Sequence, residues 1–255
     1  MGKTISVPTK KRTALDAGVT HIDTAESYAG GYAEILIREA ICGYDRSKIF
    51  LVSKVHQDNF EYVNILNACR RSLERLGTDY LDLYLLHRYN KNIPLSDSMR
   101  ALDELIRLGM VKNIGVCNFT KEHLAEAQCY TKNKIVCNQV HYNLSFREPE
   151  RKGLVEYCRN NDVFLSAWRP VGNLPEDIPL VLKEMCDKYR KTPSQISINW
   201  LISQSYITTL SKTRHLGHLE ENLGALDWIM DKEDIERLRK EYPNQQDISD
   251  DVPLG

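Results

Sequence analysis

Apolar and amphipathic segments alternate along the chain with a regular spacing. The apolar segments are short, continuous and rich in β-branched residues, which predicts parallel strands covered on both faces. The predicted strands are 19–23, 49–55, 80–86, 113–117, 135–140, 163–168 and 206–210. Amphipathic segments lie between them, so the chain is predicted to be an α/β protein.

The helical segments carry recognisable start and stop signals. The segment 61–76 ends at Gly77 and the segment 98–108 ends at Gly109, since glycine favours the left-handed conformation that closes a helix. The sequence Thr192-Pro193-Ser194-Gln195 is a capping box that opens a further helix. The predicted apolar stripe of the first of these helices consists of Val63, Leu66, Cys69, Leu73 and Leu76.

Repeated βα units without a linker predict one domain over residues 1–255, with the architecture of a (β/α)8 TIM barrel. Seven strands are visible, whereas such a barrel has eight. The remaining candidate is the segment 3–8, KTISVP. The first strand is therefore expected to be shortened, replaced or missing.

The composition of the chain indicates which classes of partner are not expected. The net charge is −1, which gives no reason to expect nucleic acid or an anionic membrane. No apolar run approaches the roughly 18 residues that span a bilayer, and no signal core is visible, so we expect a cytoplasmic protein. Seven scattered cysteines, an odd number without metal-ligand spacing, predict reduced thiols and no metal site.

Polar side chains follow three consecutive predicted strands. Asp23 ends the first, with Tyr28 five residues further on, while Lys54 ends the second and His87 the third. Because parallel strands of a barrel end at one rim, these four side chains are expected to converge there. Taken singly, each residue is better explained by an ordinary structural role: a helix cap, a rim aromatic, a surface lysine and a loop histidine. Their joint placement favours a site. A lysine in an apolar strand needs a partner, and Asp23 is the expected one. Glu26 is expected to cap a helix or face solvent.

The chemistry of this set fits proton donation to a carbonyl. Lys54 is expected to draw the pKa of Tyr28 below its usual value, so that the phenol donates a proton while His87 holds the same oxygen. None of these groups supplies a hydride, so a cofactor is required. A Schiff-base aldolase that uses Lys54 is an alternative from the residues alone.

Several segments, in this order, resemble the aldo-keto reductase family, in particular a member of prokaryotic or archaeal type with a shortened N-terminus. They are HIDTAESY, FLVSKV, DYLDLYLLH, IGVCNF, NQVHYN and SKTRHLGHLEENLGALDW. The resemblance implies a (β/α)8 barrel that reduces small aldehydes and ketones with NAD(P)H. The sequence contains no G-x-G-x-x-G motif, which agrees with a dinucleotide-binding site that is not of the Rossmann type.

The resemblance also implies roles for individual residues. Asp23, Tyr28, Lys54 and His87 match the family's catalytic tetrad, with Tyr28 as general acid. Trp168 corresponds in position to the family's aromatic residue that stacks on the nicotinamide ring. Ordinary core packing also explains a tryptophan at this position. The other residues implied in cofactor binding are Cys117, Asn118, Gln139, Arg169, Lys212, Thr213, His218, Glu221 and Asn222. The segment around Lys212 is alternatively a solvated basic loop.

Departures from the family pattern affect the expected activity. Cys117 replaces a serine, and a thiol is the poorer hydrogen-bonding group. His218 replaces an arginine, which weakens the preference for NADP(H) over NAD(H) without removing it. The shortened beginning leaves open a second hypothesis, a catalytically impaired barrel that binds a dinucleotide. The loop 88–98 after His87 is short and the tail 244–255 is brief and polar, which together predict an open pocket, and a monomer is the expected state.

Overall fold

The computed structural model describes residues 14–172, 174, 177–243 and 246–254. The segment 3–8, proposed from the sequence as a first strand, lies outside the described residues. The described chain divides into two compact units: one comprises the residues up to Cys117 together with Glu122–Val136, and the other comprises Asn118–Lys121 and the residues from Cys137 onward. The prediction of a single domain stays a prediction.

The first unit contains four parallel strands in chain order. They are β1 (His21–Asp23), β2 (Phe50–Val55), β3 (Leu83–Leu86) and β4 (Ile114–Cys117). Each pairs with the next, and the register places Asp23 beside Val52 and Lys54 beside Leu85. All four strands predicted for this part of the chain are present. Each one begins at least one residue later than the predicted segment.

Helices alternate with the strands of the first unit. They are α1 (Tyr32–Ile41), α2 (Tyr62–Leu76), α3 (Leu95–Arg107) and α4 (Lys121–Cys129), of which α4 contributes all but its first residue to this unit. Gly77 follows α2 in the left-handed conformation, with φ 64°, as predicted. Short 3-10 helices occupy Tyr28–Gly31, Arg46–Lys48 and Gln57–Asn59.

The buried face of α2 differs from the predicted stripe. Val63 is 62% exposed and Leu66 is only half-buried, whereas Ile65, Ala68 and Ser72 are fully buried. The predicted stripe is therefore wrong in the first part of the helix. The other predicted positions are buried, as expected: Cys69, Leu73 and Leu76.

The second unit contains three parallel strands, again paired in chain order. They are β5 (Ile135–His141, from Cys137 onward in this unit), β6 (Phe164–Trp168) and β7 (Ile207–Leu210). Its helices are α5 (Glu148–Arg151), α6 (Leu154–Asn160), α7 (Leu180–Tyr189), α8 (Pro193–Ile202), α9 (Leu216–Leu223) and α10 (Lys232–Glu241). The capping box predicted at the start of α8 is confirmed, with reciprocal bonds between Thr192 and Gln195.

The tail Gln246–Leu254 packs against its own unit. Gln246 forms a parallel bridge with Phe146, and Leu254 is 3% exposed. The Glu148 carboxylate accepts a hydrogen bond from the Leu254 N–H at 3.5 Å. This polar segment is therefore anchored along its length.

Candidate active site

Strand register brings the four side chains of the predicted tetrad together in the first unit. Asp23 is the last residue of β1, Lys54 lies near the end of β2, and His87 directly follows β3. The His87 N–H donates to the Val55 carbonyl at 3.1 Å, which holds the end of β3 against β2. Tyr28 begins the 3-10 helix that follows β1.

Lys54 is fully buried and paired with Asp23. Its Nζ donates to Asp23 Oδ1 and to the Thr24 carbonyl at 2.8 Å, and lies 3.4 Å from the Tyr28 hydroxyl. Burial is the largest single effect and lowers the pKa of this ammonium, but the attraction of Asp23 together with the smaller effects of Cys117 and Tyr28 outweighs it, and the pKa lies above its ordinary value. The predicted ion pair is confirmed, and a snorkelling surface lysine is excluded.

The predicted direction of the Tyr28 pKa is wrong. Lys54 does lower it, by its charge and by its hydrogen bond, but burial of the phenol is the larger effect and the pKa is raised above 10.0. The phenol therefore stays protonated at neutral pH. A proton donor needs that state, and the adjacent ammonium still stabilises the phenolate that donation leaves behind.

His87 is held as a neutral imidazole. Burial, with smaller contributions from the charges of Lys54 and Arg88, lowers its pKa to about 3. Its ring meets the Tyr28 ring edge-on, with centroids 5.6 Å apart, and its Nδ1 lies 3.4 Å from Ser27 Oγ. A neutral imidazole carries one N–H, so it offers one hydrogen bond to a substrate oxygen without competing as a charged acid.

Cys117 belongs to the same group of side chains. It is buried at the end of β4, and its electrostatic effect raises the pKa of both Lys54 and Tyr28. The sequence assigned this residue to cofactor binding only. The structure adds an electrostatic link to the acid–base groups.

The second unit brings together three residues predicted to bind the nicotinamide. Asn118 adopts a left-handed conformation with φ 58°, which asparagine tolerates better than most residues. Its side-chain oxygen accepts a hydrogen bond from Trp168 Nε1 at 3.2 Å, and its N–H donates to the Gln139 carbonyl at 2.9 Å. These contacts orient the Asn118 amide against the indole edge.

Trp168 forms the end of a three-ring stack. His141 lies between Phe146 and Trp168, with centroid distances of 4.1 and 4.4 Å and near-parallel rings. Burial and the charge of Arg169 lower the pKa of His141 to about 4. Sequence reasoning missed His141, because nothing in the NQVHYN segment indicates a stacking partner. The indole is half-buried and packs on His141, and its stacking on a nicotinamide stays a prediction.

Arg169 has a positive φ of 55° and contacts the tail. Its guanidinium lies 2.9 Å from the Asp250 carboxylate and 3.5 Å from that of Asp251. Ser249, next to them, is 3.0 Å from His141 Nδ1. The tail therefore contacts both the arginine and the ring stack.

The predicted phosphate-side residues lie in the loop after β7 and in α9. Thr213 Oγ1 accepts from the His215 N–H at 3.1 Å, which shapes the loop before α9. Glu221 accepts a hydrogen bond from Thr192 Oγ1 at 2.7 Å, so its carboxylate faces the start of α8. Lys212 and His218 are exposed, and Asn222 is half-buried.

Among the described residues, no group of three or more histidine, cysteine, aspartate or glutamate side chains lies close enough to hold a metal ion. None of the seven cysteines takes part in a disulfide. No helix among the described residues is long and apolar enough to cross a bilayer.

Comparison with known proteins identifies the class of this protein. The sequence profile of the aldo/keto reductase family matches residues 9–242. Methylglyoxal reductase YeaE of Escherichia coli is 33% identical, with 91% of this chain and 83% of that protein covered. The crystal structure of a thermostable aldo-keto reductase with the inhibitor epalrestat has a TM-score of 0.88 at 38% identity, covering 91% of this chain and 85% of that one.

A further solved structure is the aldo/keto reductase of Klebsiella pneumoniae in complex with NADP and acetate. It has a TM-score of 0.84 at 32% identity and covers 96% of this chain and 90% of that one. These likenesses define the class of the protein: an oxidoreductase of the α/β type, as the sequence predicts. The chain belongs to the aldo/keto reductase family, and its fold class is the family's (β/α)8 barrel.

Proposed function

We propose that this protein reduces small aldehydes and ketones to alcohols with NAD(P)H, and that Tyr28 is its general acid. One observation carries the proposal: the Tyr28 hydroxyl lies 3.4 Å from a fully buried ammonium and beside a neutral imidazole. This arrangement suits protonation of an oxygen that gains negative charge as a carbonyl is reduced.

Each member of the tetrad has a separate task. Tyr28 donates its proton to the carbonyl oxygen, and the Lys54 ammonium stabilises the phenolate left behind. Asp23 keeps Lys54 charged in a site where burial alone would favour the neutral amine. His87 directs its single N–H at the same oxygen and holds it near the phenol.

The second unit offers groups that fit a nicotinamide dinucleotide. The partly exposed face of Trp168 suits an aromatic ring, and the amides of Asn118 and Gln139 suit a carboxamide. The reduced cofactor supplies the hydride when bound. Its phosphates are proposed to meet Arg169 and the basic loop of Lys212, Thr213 and His218, with Glu221 and Asn222 on the adenine side and Cys117 beside Asn118.

The exposed Lys212 and His218 favour NADP(H) over NAD(H), because a 2′-phosphate gains from nearby cations. The related Klebsiella protein binds NADP. Because the sequence is similar to that of a methylglyoxal reductase, short 2-oxoaldehydes are the first substrates to assay. A cytoplasmic location and a monomeric state stay predictions from the sequence.

The test is carbonyl-dependent oxidation of NADPH, followed by nicotinamide absorbance with methylglyoxal and a panel of aldehydes. Tyr28→Phe should lose turnover while it still quenches tryptophan fluorescence on binding NADPH. Unchanged turnover in this variant refutes the assignment of Tyr28. Cofactor binding without turnover in the wild-type protein favours the impaired barrel instead, and borohydride trapping of substrate on Lys54 favours the aldolase.

A further inference from the structure

Glu26 lies between the ion-pair partner Asp23 and the phenol Tyr28, and its side chain is 9% exposed. Sequence reasoning treated it as a helix cap or a solvent-facing residue. Its Oε1 accepts two hydrogen bonds, from the His56 N–H at 2.7 Å and from Asn59 Nδ2 at 2.9 Å. Both donors belong to the loop that directly follows β2.

The segment that carries Tyr28 is attached to β2 at two further points. The Thr24 N–H donates to the Val52 carbonyl at 3.0 Å, and the Glu26 N–H donates to the Lys54 carbonyl at 3.2 Å. The Tyr28 N–H then closes a turn on the Ala25 carbonyl at 3.1 Å. The Glu26 carboxylate therefore joins the base of this turn to the strand end that carries Lys54.

Tyr28 itself is 42% exposed, so packing around its ring restrains it only in part. Its distance to Lys54 depends on where the turn lies relative to β2. We propose that Glu26 is a positioning residue, which sets the separation of the Tyr28 hydroxyl and the Lys54 ammonium through its hydrogen bonds to His56 and Asn59. The inference rests on the proposed function of Tyr28.

The action of Glu26 is geometric rather than electrostatic. The charged groups that lead the shift of the Tyr28 pKa are Lys54 and Asp23, behind burial. Arg71 lies 3.7 Å from Glu26 Oε2 and is 48% exposed, a weak ion pair. A neutral side chain of the same shape should therefore serve as well, provided that it accepts both hydrogen bonds.

This distinction defines the experiment. Glu26→Gln keeps a carbonyl oxygen for His56 and Asn59, whereas Glu26→Ala removes it. We expect kcat for carbonyl reduction to fall about 10- to 100-fold in Glu26→Ala with KM within about threefold, because displacement of a reacting group by about 1 Å costs up to 100-fold. Glu26→Gln should retain kcat within about threefold of the wild-type value.

The solvent deuterium isotope effect on kcat separates positioning from general loosening. A displaced phenol slows proton transfer, so the isotope effect should increase in Glu26→Ala and stay at the wild-type value in Glu26→Gln. Arg71→Ala is the matched control, which removes the ion pair and keeps both hydrogen bonds. Its kcat and isotope effect should match the wild type.

Three outcomes overturn the proposal: kcat of Glu26→Ala within threefold of wild type, an equal loss in Glu26→Gln, or a loss confined to KM. If Glu26→Ala does not fold, Asn59→Ala decides by removing one of the two donors, with an expected three- to tenfold loss of kcat. Normal kcat and isotope effect in Asn59→Ala then overturn the proposal. If Tyr28→Phe retains turnover, the proposed function of Tyr28 is refuted. If Tyr28→Phe loses turnover while Glu26→Ala keeps the wild-type kcat, only the positioning role of Glu26 is refuted.

Discussion

Replacing Asp23 by asparagine should leave a buried ammonium without its counter-ion. Lys54 is fully buried and the Asp23 side chain is 12% exposed, so solvent replaces little of the lost attraction. Breaking a buried pair costs about 3–5 kcal/mol. The asparagine oxygen still accepts a hydrogen bond from Lys54, which places the expected loss of unfolding free energy near 3 kcal/mol, at the low end of that range.

The unfolding free energy of Asp23→Asn should also depend on pH, in a direction that follows from the pKa of Lys54. In the wild type the pKa of Lys54 lies above its ordinary value of 10.5, so from neutral pH up to 10.5 the stabilisation that this ammonium contributes is complete. Without Asp23, burial is opposed only by the smaller effects of Cys117 and Tyr28, so we expect the pKa of Lys54 in the folded state to fall below its ordinary value. The unfolding free energy of Asp23→Asn should therefore rise between about pH 7 and pH 10, while the wild type shows no such rise from this group.

Urea unfolding followed by far-UV circular dichroism at several pH values measures both quantities. With a slope of about 3 kcal/mol per molar, the midpoint at neutral pH should fall by roughly 1 M. Asp97→Asn is the control, because its pair with Arg100 is exposed and spans 3.5 Å, and we expect less than about 0.5 kcal/mol. A loss under about 1 kcal/mol with no pH dependence in Asp23→Asn would refute the reasoning.

Three further predictions follow from the first unit. The imidazole NMR signals of His87 should stay constant from about pH 5 to pH 8, because its pKa is about 3; a midpoint near 6.5 contradicts this. Glu34→Ala should cost about 3 kcal/mol in urea unfolding, since the fully buried carboxylate pairs with the partly exposed Arg75 at 2.6 Å; a loss under about 1 kcal/mol contradicts it. Gly77→Ala and Gly109→Ala both place alanine at positive φ and should each lose about 1 kcal/mol. A Cβ at position 77 also meets the Arg38 side chain at 2.8 Å while one at 109 meets nothing within 4 Å, so Gly77→Ala should be the less stable variant; equal losses would show that Arg38 moves aside without cost.

The strand ends could be predicted because they depend on local sequence. Apolar runs bounded by polar residues located β1, β2 and β3, and parallel pairing then placed Asp23, Lys54 and His87 near one another. The pairing of Asp23 with Lys54 followed from the cost of an isolated buried charge. Such inferences need only the pattern and the sign of an interaction.

The pKa of Tyr28 could not be predicted, because it depends on the balance of two opposing effects. The sequence shows that Lys54 is near, but it does not show how deeply the phenol is buried, and burial is the larger effect. The contacts of Glu26 depend on the His56 N–H and the Asn59 side-chain amide, 30 and 33 residues away in the sequence. The contact of His141 with Ser249 joins positions 108 residues apart, beyond any local pattern.

The stack of Phe146, His141 and Trp168 also gives the protein an optical property. The chain has three tryptophans, and one of them stacks on an imidazole at 4.4 Å. Protonated imidazole quenches indole emission efficiently, whereas the neutral ring does so weakly. Because the pKa of His141 is about 4, the emission of Trp168 stays unquenched by this route at neutral pH. We therefore expect the emission of Trp168 near neutral pH to be independent of the protonation of His141.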